Sequence, residues 1–351
     1  MDLKSCRSAL LCGAFLWGCT LARAEDEAIE PVKEPITPQL VAKQLRTAEQ
    51  EFADAKKMFN PWYTGPIITP SANVLPPGDV NIQLYYYLID NFATYNEHGK
   101  AEKIPHLIQN NPQAFILVGI TKWLDAYAVP QYLHNNQAGE TAGHFGDLPV
   151  GLGFQIWKEK PYRPALLFGV QELLPTGKYQ KLDPKKGTVD ATGGGSYQTK
   201  VSLNMSKVVW WLTKHPMSFR WSLNYQIPAI AHVRGFNAYG GGHGTAGKVK
   251  PGKNFTADIG YEYSFTRRWV AALDVVYSYS AKTTFSGTPG VTAAGTPAAV
   301  GGPHNVQVSL APALEYNLNG NLGFIAGCWF SVWGENSLDF VSGVASVTYT
   351  F

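Results

Sequence analysis

From Asp79 to the C-terminus the chain is ordered by a period of two. Between Asn254 and Phe265, the residues Phe255, Ala257, Ile259, Tyr261, Tyr263 and Phe265 alternate with Asn254, Thr256, Asp258, Gly260, Glu262 and Ser264. Successive side chains of a strand point to opposite faces, so one face of this segment is apolar and the other polar. Met217 to Val233 repeats the division, with Phe219, Trp221, Leu223, Tyr225 and Ile227 set against Ser218, Arg220, Ser222, Asn224 and Gln226; Trp269 to Ala281 and Val306 to Tyr316 follow suit. Soluble sandwiches alternate too, but their strands average about five or six residues. These segments run to about a dozen, closer to the nine to eleven of a tilted membrane-crossing strand.

The rhythm of turns points the same way. Short turns are predicted at Thr121-Lys122-Trp123, Glu159 to Arg163, Thr213 to Pro216, Thr266-Arg267-Arg268 and Asn317 to Asn321, and long loops at about 93–112, 135–146, 177–195, 234–252 and 284–303, with a tight sixth at Gly334 to Ser337. Five short turns and six loops join twelve strands, an even number with both ends on the short-turn side, as a bacterial outer-membrane barrel requires. Val347, Tyr349 and the terminal Phe351 alternate to the last residue, in a pattern that resembles the signal by which such barrels are recognised by their assembly machinery. The predicted fold is all-β, a twelve-stranded antiparallel transmembrane β-barrel over 79–351. Hydrocarbon offers backbone groups no hydrogen bonds, so a sheet that crosses it must close on itself.

The residues before Asp79 do not alternate. Residues 1–24 read as a cleaved signal peptide: Lys4 and Arg7, an apolar stretch from Ala9 to Cys19, and Ala22-Arg23-Ala24 as the cleavage site. Leu16-Trp17-Gly18-Cys19 partly resembles a lipoprotein cleavage box, which Trp17 fits poorly. Residues 25–78 form a periplasmic segment. Pro38 to Phe59 carries Leu40, Val41, Leu45, Phe52 and Phe59 among Lys, Gln and Glu, an amphipathic helix stopped by Asn60-Pro61. The segment is either an arm or a plug for the periplasmic mouth, and Trp62 to Pro77 is Pro-rich and reads as an extended linker.

Composition narrows the options further. With 45% hydrophobic and only 16% charged residues the chain is not disordered, and a formal charge of +3 gives nucleic acid nothing to bind. Removing the signal takes Lys4, Arg7, Arg23 and Asp2 and leaves 26 basic and 25 acidic residues, a net +1, with Cys328 as the one remaining cysteine. The longest later apolar run, Ala114 to Ile120, is too short for a helical span. The 10 Trp, 18 Tyr and 17 Phe sit oddly beside a mean hydropathy of -0.13. Aromatic girdles at the two membrane interfaces, with Trp210, Trp211, Trp221, Trp269 and Trp329 among the candidates, account for them.

No catalytic, metal or cofactor site emerges. Gly242 to Lys248 imitates a phosphate-binding loop, but Val249 stands where Ser or Thr should hold magnesium and no strand-to-helix context surrounds it. His98, His106, His134, His144, His232, His243 and His304 gather in or near the predicted loops, with no tight ligand spacing. Membrane-facing positions are almost wholly apolar, which leaves a lipid-modifying hydrolase without an outward Ser and His.

The polar face carries more. Arg220, Asp258, Glu262 and Asp274 occupy lumen-facing positions on three consecutive strands, with Glu262 placed near both Arg220 and Asp274; Lys200 and Glu315 are further lumen candidates. Charges there select solutes or brace the barrel. Tyr85, Tyr87, Trp210 and Phe340 also point inward and narrow the bore.

Leu174-Pro175-Thr176-Gly177, the Gly193-Gly194-Gly195-Ser196-Tyr197 run, Pro66-Ile67-Ile68-Thr69-Pro70-Ser71-Ala72 and Gly146-Asp147-Leu148 resemble the outer-membrane proteins of the phenol-degradation MetA-pathway family, over about residues 64–351. The resemblance implies an outer-membrane barrel that passes small, often hydrophobic or aromatic compounds, and supplies no catalytic or binding residues. The expected function is a passive channel or uptake protein for small solutes. The alternatives are a structural or surface-interaction barrel using its long loops, and a membrane-embedded lipid-modifying enzyme. Expected partners are outer-membrane lipid and lipopolysaccharide, the barrel assembly machinery and a small-molecule solute, but no nucleic acid and no cofactor.

Overall fold

The alternating segments close on themselves. The computed structural model describes residues 37–58, 64–209 and 215–351, so the signal segment, Phe59, Trp210 and Trp211 lie outside the described residues. The chain divides into two units, one ending at Arg46 and one from Thr47 to Phe351. Helix α1 spans Pro38–Met58. Pro38 sits at its first turn, where no amide hydrogen is needed, and Thr37 accepts from the Leu40 amide at 3.2 Å as its cap.

The strands in chain order are β1 (Val80–Tyr95), β2 (Ala101–Thr121), β3 (Leu124–Ala128), β4 (Tyr132–Gln137), β5 (Glu140–Phe145), β6 (Leu148–Trp157), β7 (Ala165–Leu174), β8 (Gln198–Val209) and β9 (Met217–Pro228). They continue with β10 (Ala231–Arg234), β11 (Ala246–Lys250), β12 (Asn254–Ser264), β13 (Trp269–Ser280), β14 (Thr284–Thr288), β15 (Asn305–Asn317), β16 (Leu322–Glu335) and β17 (Leu338–Thr350). Twelve of them form the wall in the order β1, β2, β3, β6, β7, β8, β9, β12, β13, β15, β16, β17, each antiparallel to the next, and β17 pairs back onto β1 from Asn81 opposite Thr350 to Thr94 opposite Leu338. Val80 and Phe351 exchange both backbone hydrogen bonds, at 2.8 and 2.9 Å, and seal the seam at the last residue. The wall has no free edge, the condition for crossing hydrocarbon.

Outward positions stay apolar and uncovered: Leu84, Leu203, Leu223 and Ile259 are all 43% exposed or more. A continuous belt of that kind suits lipid and not water. Trp123, Trp157, Phe265, Trp269 and Phe351 ring the short-turn end, and Tyr132, Phe145, Tyr197 and Trp333 stand toward the other.

One predicted feature is corrected and a second is located. The span 93–112 is not a loop, because β1 and β2 stay paired up to Tyr95 opposite Ala101, and only 96–100 turns. Past the lipid boundary nothing demands an apolar face, so the period fades while the backbone pairing continues. For the same reason 135–146 holds most of the β4–β5 hairpin, and β11 and β14, expected to be loop, build a separate three-stranded sheet with β10, which breaks off from the end of the predicted Met217–Val233 strand. The second feature is residues 64–78, predicted as an extended linker within a segment that is either an arm or a plug. They lie within the barrel, with Ile67 packed among inward-facing Tyr87, Ala272, Ala311, Ala313, Ile325 and Val344, and Ala72 against Ala165 and Leu167.

Candidate functional site in the lumen

The inner segment enters and leaves at the short-turn end. Thr64 donates to Asn317 at 3.1 Å beside the β15–β16 turn, and the Gly78 amide donates to the Gly119 carbonyl at 2.9 Å near the start of β1. Between these points its backbone has no sheet partner, so its polar groups must be met by side chains of the wall. Asp274 on β13 accepts from the Ile68 amide at 3.0 Å, the Thr69 amide at 3.0 Å and the Thr69 hydroxyl at 2.6 Å. Glu315 on β15 accepts from the Gly65 amide at 3.3 Å. Gln155 on β6 reads both signs, accepting from the Val74 amide at 3.0 Å and donating to the Ala72 carbonyl at 2.8 Å.

Glycines mark where the backbone comes closest. A Cβ on Gly119 of β2 would stand 2.0 Å from the Pro76 carbonyl oxygen, and one on Gly260 of β12 would stand 2.9 Å from Pro66. Side chains at these inward positions would displace the segment.

Arg220 and Glu262 form a buried fork, Nε to Oε2 at 2.9 Å and Nη2 to Oε1 at 3.2 Å, directly under Gly65, and Glu315 lies close enough to interact with both. Asp274 stands opposite Gly260, two residues along from the level of Glu262, and its oxygens are taken by Ile68 and Thr69. Arg220, Glu262, Glu315 and Asp274 thus share the floor beneath the segment, while Asp258 and Lys200 face the remaining space.

That space is a cavity of about 1010 Å³ that runs from Pro216 and Asn319 at the short-turn end to Gln226 and Asn254 near the other. One wall is a polar ladder. Ser222 donates to Asn204 at 2.8 Å, and the Asn224 amide donates to Ser222 at 3.0 Å, Thr256 at 2.9 Å and Asp258 at 3.2 Å. The opposite wall is aromatic: Tyr85 stacks on Tyr87 at 5.6 Å and Phe115 on Tyr127 at 5.2 Å. Phe340 turns inward and is buried, meeting Trp329 at 4.8 Å. Asp125, which lines the cavity, and Gln155, which holds the inner segment, were not legible as site residues; the inward glycines Gly119 and Gly260 were the available signal.

At the long-loop end the separated Gly-Asp, Pro-Thr-Gly and Gly-rich motifs meet in one knot. Asp147 accepts from the Gly177 amide at 2.9 Å and the Gly194 amide at 2.8 Å, and the Thr176 hydroxyl donates to the Gly146 carbonyl at 2.7 Å. A Cβ on Gly193 would collide with Asp147 at 2.2 Å, so the run must be glycine where it crosses the carboxylate. Burial holds the Asp147 carboxyl above its usual range, partly offset by those two amides. Nearby Tyr239, which donates to the Gly194 carbonyl at 2.6 Å, is pushed up to about 12 by burial and then by the Asp147 charge. Asp147→Ala leaves two amides unanswered, a loss of about 1–3 kcal/mol for each. Protease cleavage between Lys178 and Thr192 is therefore expected to quicken by at least tenfold; an unchanged cleavage rate would show that Asp147 does not hold the loop.

The remaining candidates stay apart. Gly242 to Lys248 leads into strand β11, not the helix a phosphate loop needs. His106 meets Asp90 at 2.9 Å and His304 meets Glu335 at 3.0 Å, and among the described residues no three His, Cys, Asp or Glu side chains are grouped for a metal ion. Val347, Tyr349 and Phe351 lie on the outer face of β17 or just past its end, with the rings of Tyr349 and Phe351 stacked at 5.8 Å.

Among solved structures, an outer membrane channel from Pseudomonas putida F1 is similar at TM-score 0.62 and 12% identity, over 81% of this chain and 100% of that one. The translocator domain of the autotransporter NalP from Neisseria meningitidis scores 0.43 at 10% identity, over 89% and 98% of the two chains. The toluene transporter TodX of Pseudomonas putida scores 0.37 at 11% identity, over 79% and 90%. No curated protein matches the chain by sequence. A family model described as "Putative MetA-pathway of phenol degradation" matches residues 111–342.

Proposed function

The chain belongs to this MetA-pathway phenol-degradation family, and from that we infer that it is an outer-membrane channel or uptake protein passing small solutes by diffusion. The lumen supports this reading: its cavity of about 1010 Å³ spans the barrel and sets a polar ladder against an aromatic wall. Such a bore suits small solutes with one apolar and one polar side, hydrophobic or aromatic compounds among them. Residues 64–78 act as a plug that constricts the periplasmic half. Export through residues 1–24 and assembly through Val347, Tyr349 and Phe351 bring the barrel to the membrane, where lipid and, outside, lipopolysaccharide surround it.

Uptake into proteoliposomes of benzoate and of glucose tests the reading. Entry of either solute, faster with the plug loosened, is the expected result; flux of neither through the intact or the loosened chain would sink it. Lys200 and Asp258 face the open part of the cavity and set its charge preference. Lys200→Glu is expected to move the anion-to-cation permeability ratio about threefold to tenfold toward cations, read from reversal potentials across a salt gradient. An unmoved reversal potential removes Lys200 from the path.

A further inference from the structure

Helix α1 carries an apolar repeat of its own. Val41, Leu45, Ala48, Phe52 and Ala55 are spaced four, three, four and three residues apart. That spacing averages 3.5 residues, the period that keeps an apolar seam facing a second helix wound around the first; a helix lying on a globular surface follows 3.6. In its described part Val41 and Leu45 are 48% and 43% exposed, and Ala48 is half-buried. No second α-helix occurs among the described residues.

We propose that helix α1 is an interaction surface for a second copy of this chain, the two helices joining as a parallel coiled coil. Two features favour a like partner in parallel. Barrels that share a membrane share an orientation, so their helices leave the same side and run the same way. In that alignment, with Leu45 and Phe52 at the a positions, Glu51 takes a g position and Lys56 the e position that faces it on the partner helix, an attractive pair in both directions. The interaction is independent of what passes through the lumen.

Disulfide trapping tests it in the intact chain with its own cysteines replaced by serine. Leu45→Cys puts thiols across the seam within bonding reach, whereas Lys43→Cys puts them on the far side. Mild oxidation is expected to link two chains through Leu45→Cys about tenfold or more in excess of Lys43→Cys, since only the seam pair is held at high effective concentration. Equal yields, or no product at Leu45→Cys, overturn the proposal. Sedimentation equilibrium in mild detergent gives a second reading. The intact chain is expected at a multiple of its single-chain mass, falling to one chain in Leu45→Asp with Phe52→Asp while the barrel keeps its heat-shifted gel mobility. A single-chain mass for the intact protein, including one in which the helix binds phospholipid vesicles instead, overturns it, as does a multiple that survives the double substitution.

Discussion

Asp274→Ala raises the current carried by the reconstituted channel, because it removes the acceptor that seats the plug. The carboxylate takes three hydrogen bonds from Ile68 and Thr69, all at 3.0 Å or less. Bonds to a charged group are worth about 1.5–3 kcal/mol each in isolation, and they are not additive. Taking about 3 kcal/mol for the set, the ratio of displaced to seated plug rises by roughly a hundredfold. The plug cannot re-satisfy those amides within the lumen, since its backbone has no strand to pair with. Planar-bilayer recordings check this, with Thr69→Val as the graded case; it loses the hydroxyl bond alone and should shift the ratio only about fivefold, the worth of about 1 kcal/mol. Gly119→Ala reaches the same end by crowding the Pro76 carbonyl from the opposite wall. If Asp274→Ala folds normally and its current equals that of the parent chain, residues 64–78 do not gate the pore.

Arg220→Ala should be the most destabilising single change in the lumen. It strands the fully buried Glu262 beside Glu315 with no cation between them. Removing one partner of a buried pair costs about 3–5 kcal/mol, whereas replacing both by apolar groups of similar volume is often neutral. The expected pattern is a large fall in Tm for Arg220→Ala, a smaller one for Glu262→Gln, and substantial recovery in Arg220→Met with Glu262→Leu. Heat-dependent gel mobility or calorimetry of the detergent-solubilised barrel reads it. Arg220 also lies 2.8 Å from where a Gly65 Cβ would stand, so its guanidinium forms part of the plug's seat. Altered ion selectivity with an unchanged Tm would instead place Arg220 in the conduction path and remove it as a brace.

The barrel was legible because lipid enforces the period: wherever a strand crosses hydrocarbon, an apolar residue is needed at every second place. The nearness of Arg220 to Glu262 was legible for the same reason, by counting along the periodic strands β9 and β12 from the long loop that joins them. Legibility stopped where lipid stops. The tops of β1 and β2 keep their ladder but lose the pattern. Residues 64–78 defeated the period from another direction. Their partners lie about 80 to 250 positions away, as with Gln155, Asp274 and Glu315, so no local pattern records them. What the sequence did hold was indirect: glycines at inward strand positions, where a side chain would ordinarily fill the lumen. The Asp147 knot was visible only as three short motifs, whose separation in the chain hid their contact.

That knot has a consequence for what the outer loop can tolerate. Lys178 and Thr192 are tied foot to foot, with the Thr192 amide donating to the Lys178 carbonyl at 2.8 Å and the Lys178 amide to the Thr192 hydroxyl at 3.0 Å. Asp147 clamps the residues just outside them. A loop anchored at its base transmits little of what happens at its tip, and lengthening it costs only a slowly growing closure entropy. Near Gly187, whose φ is 57° and whose Cβ would meet nothing, the chain is built to accept inserted sequence. A foreign epitope placed there would be displayed at the cell surface on a barrel whose wall never registers its presence.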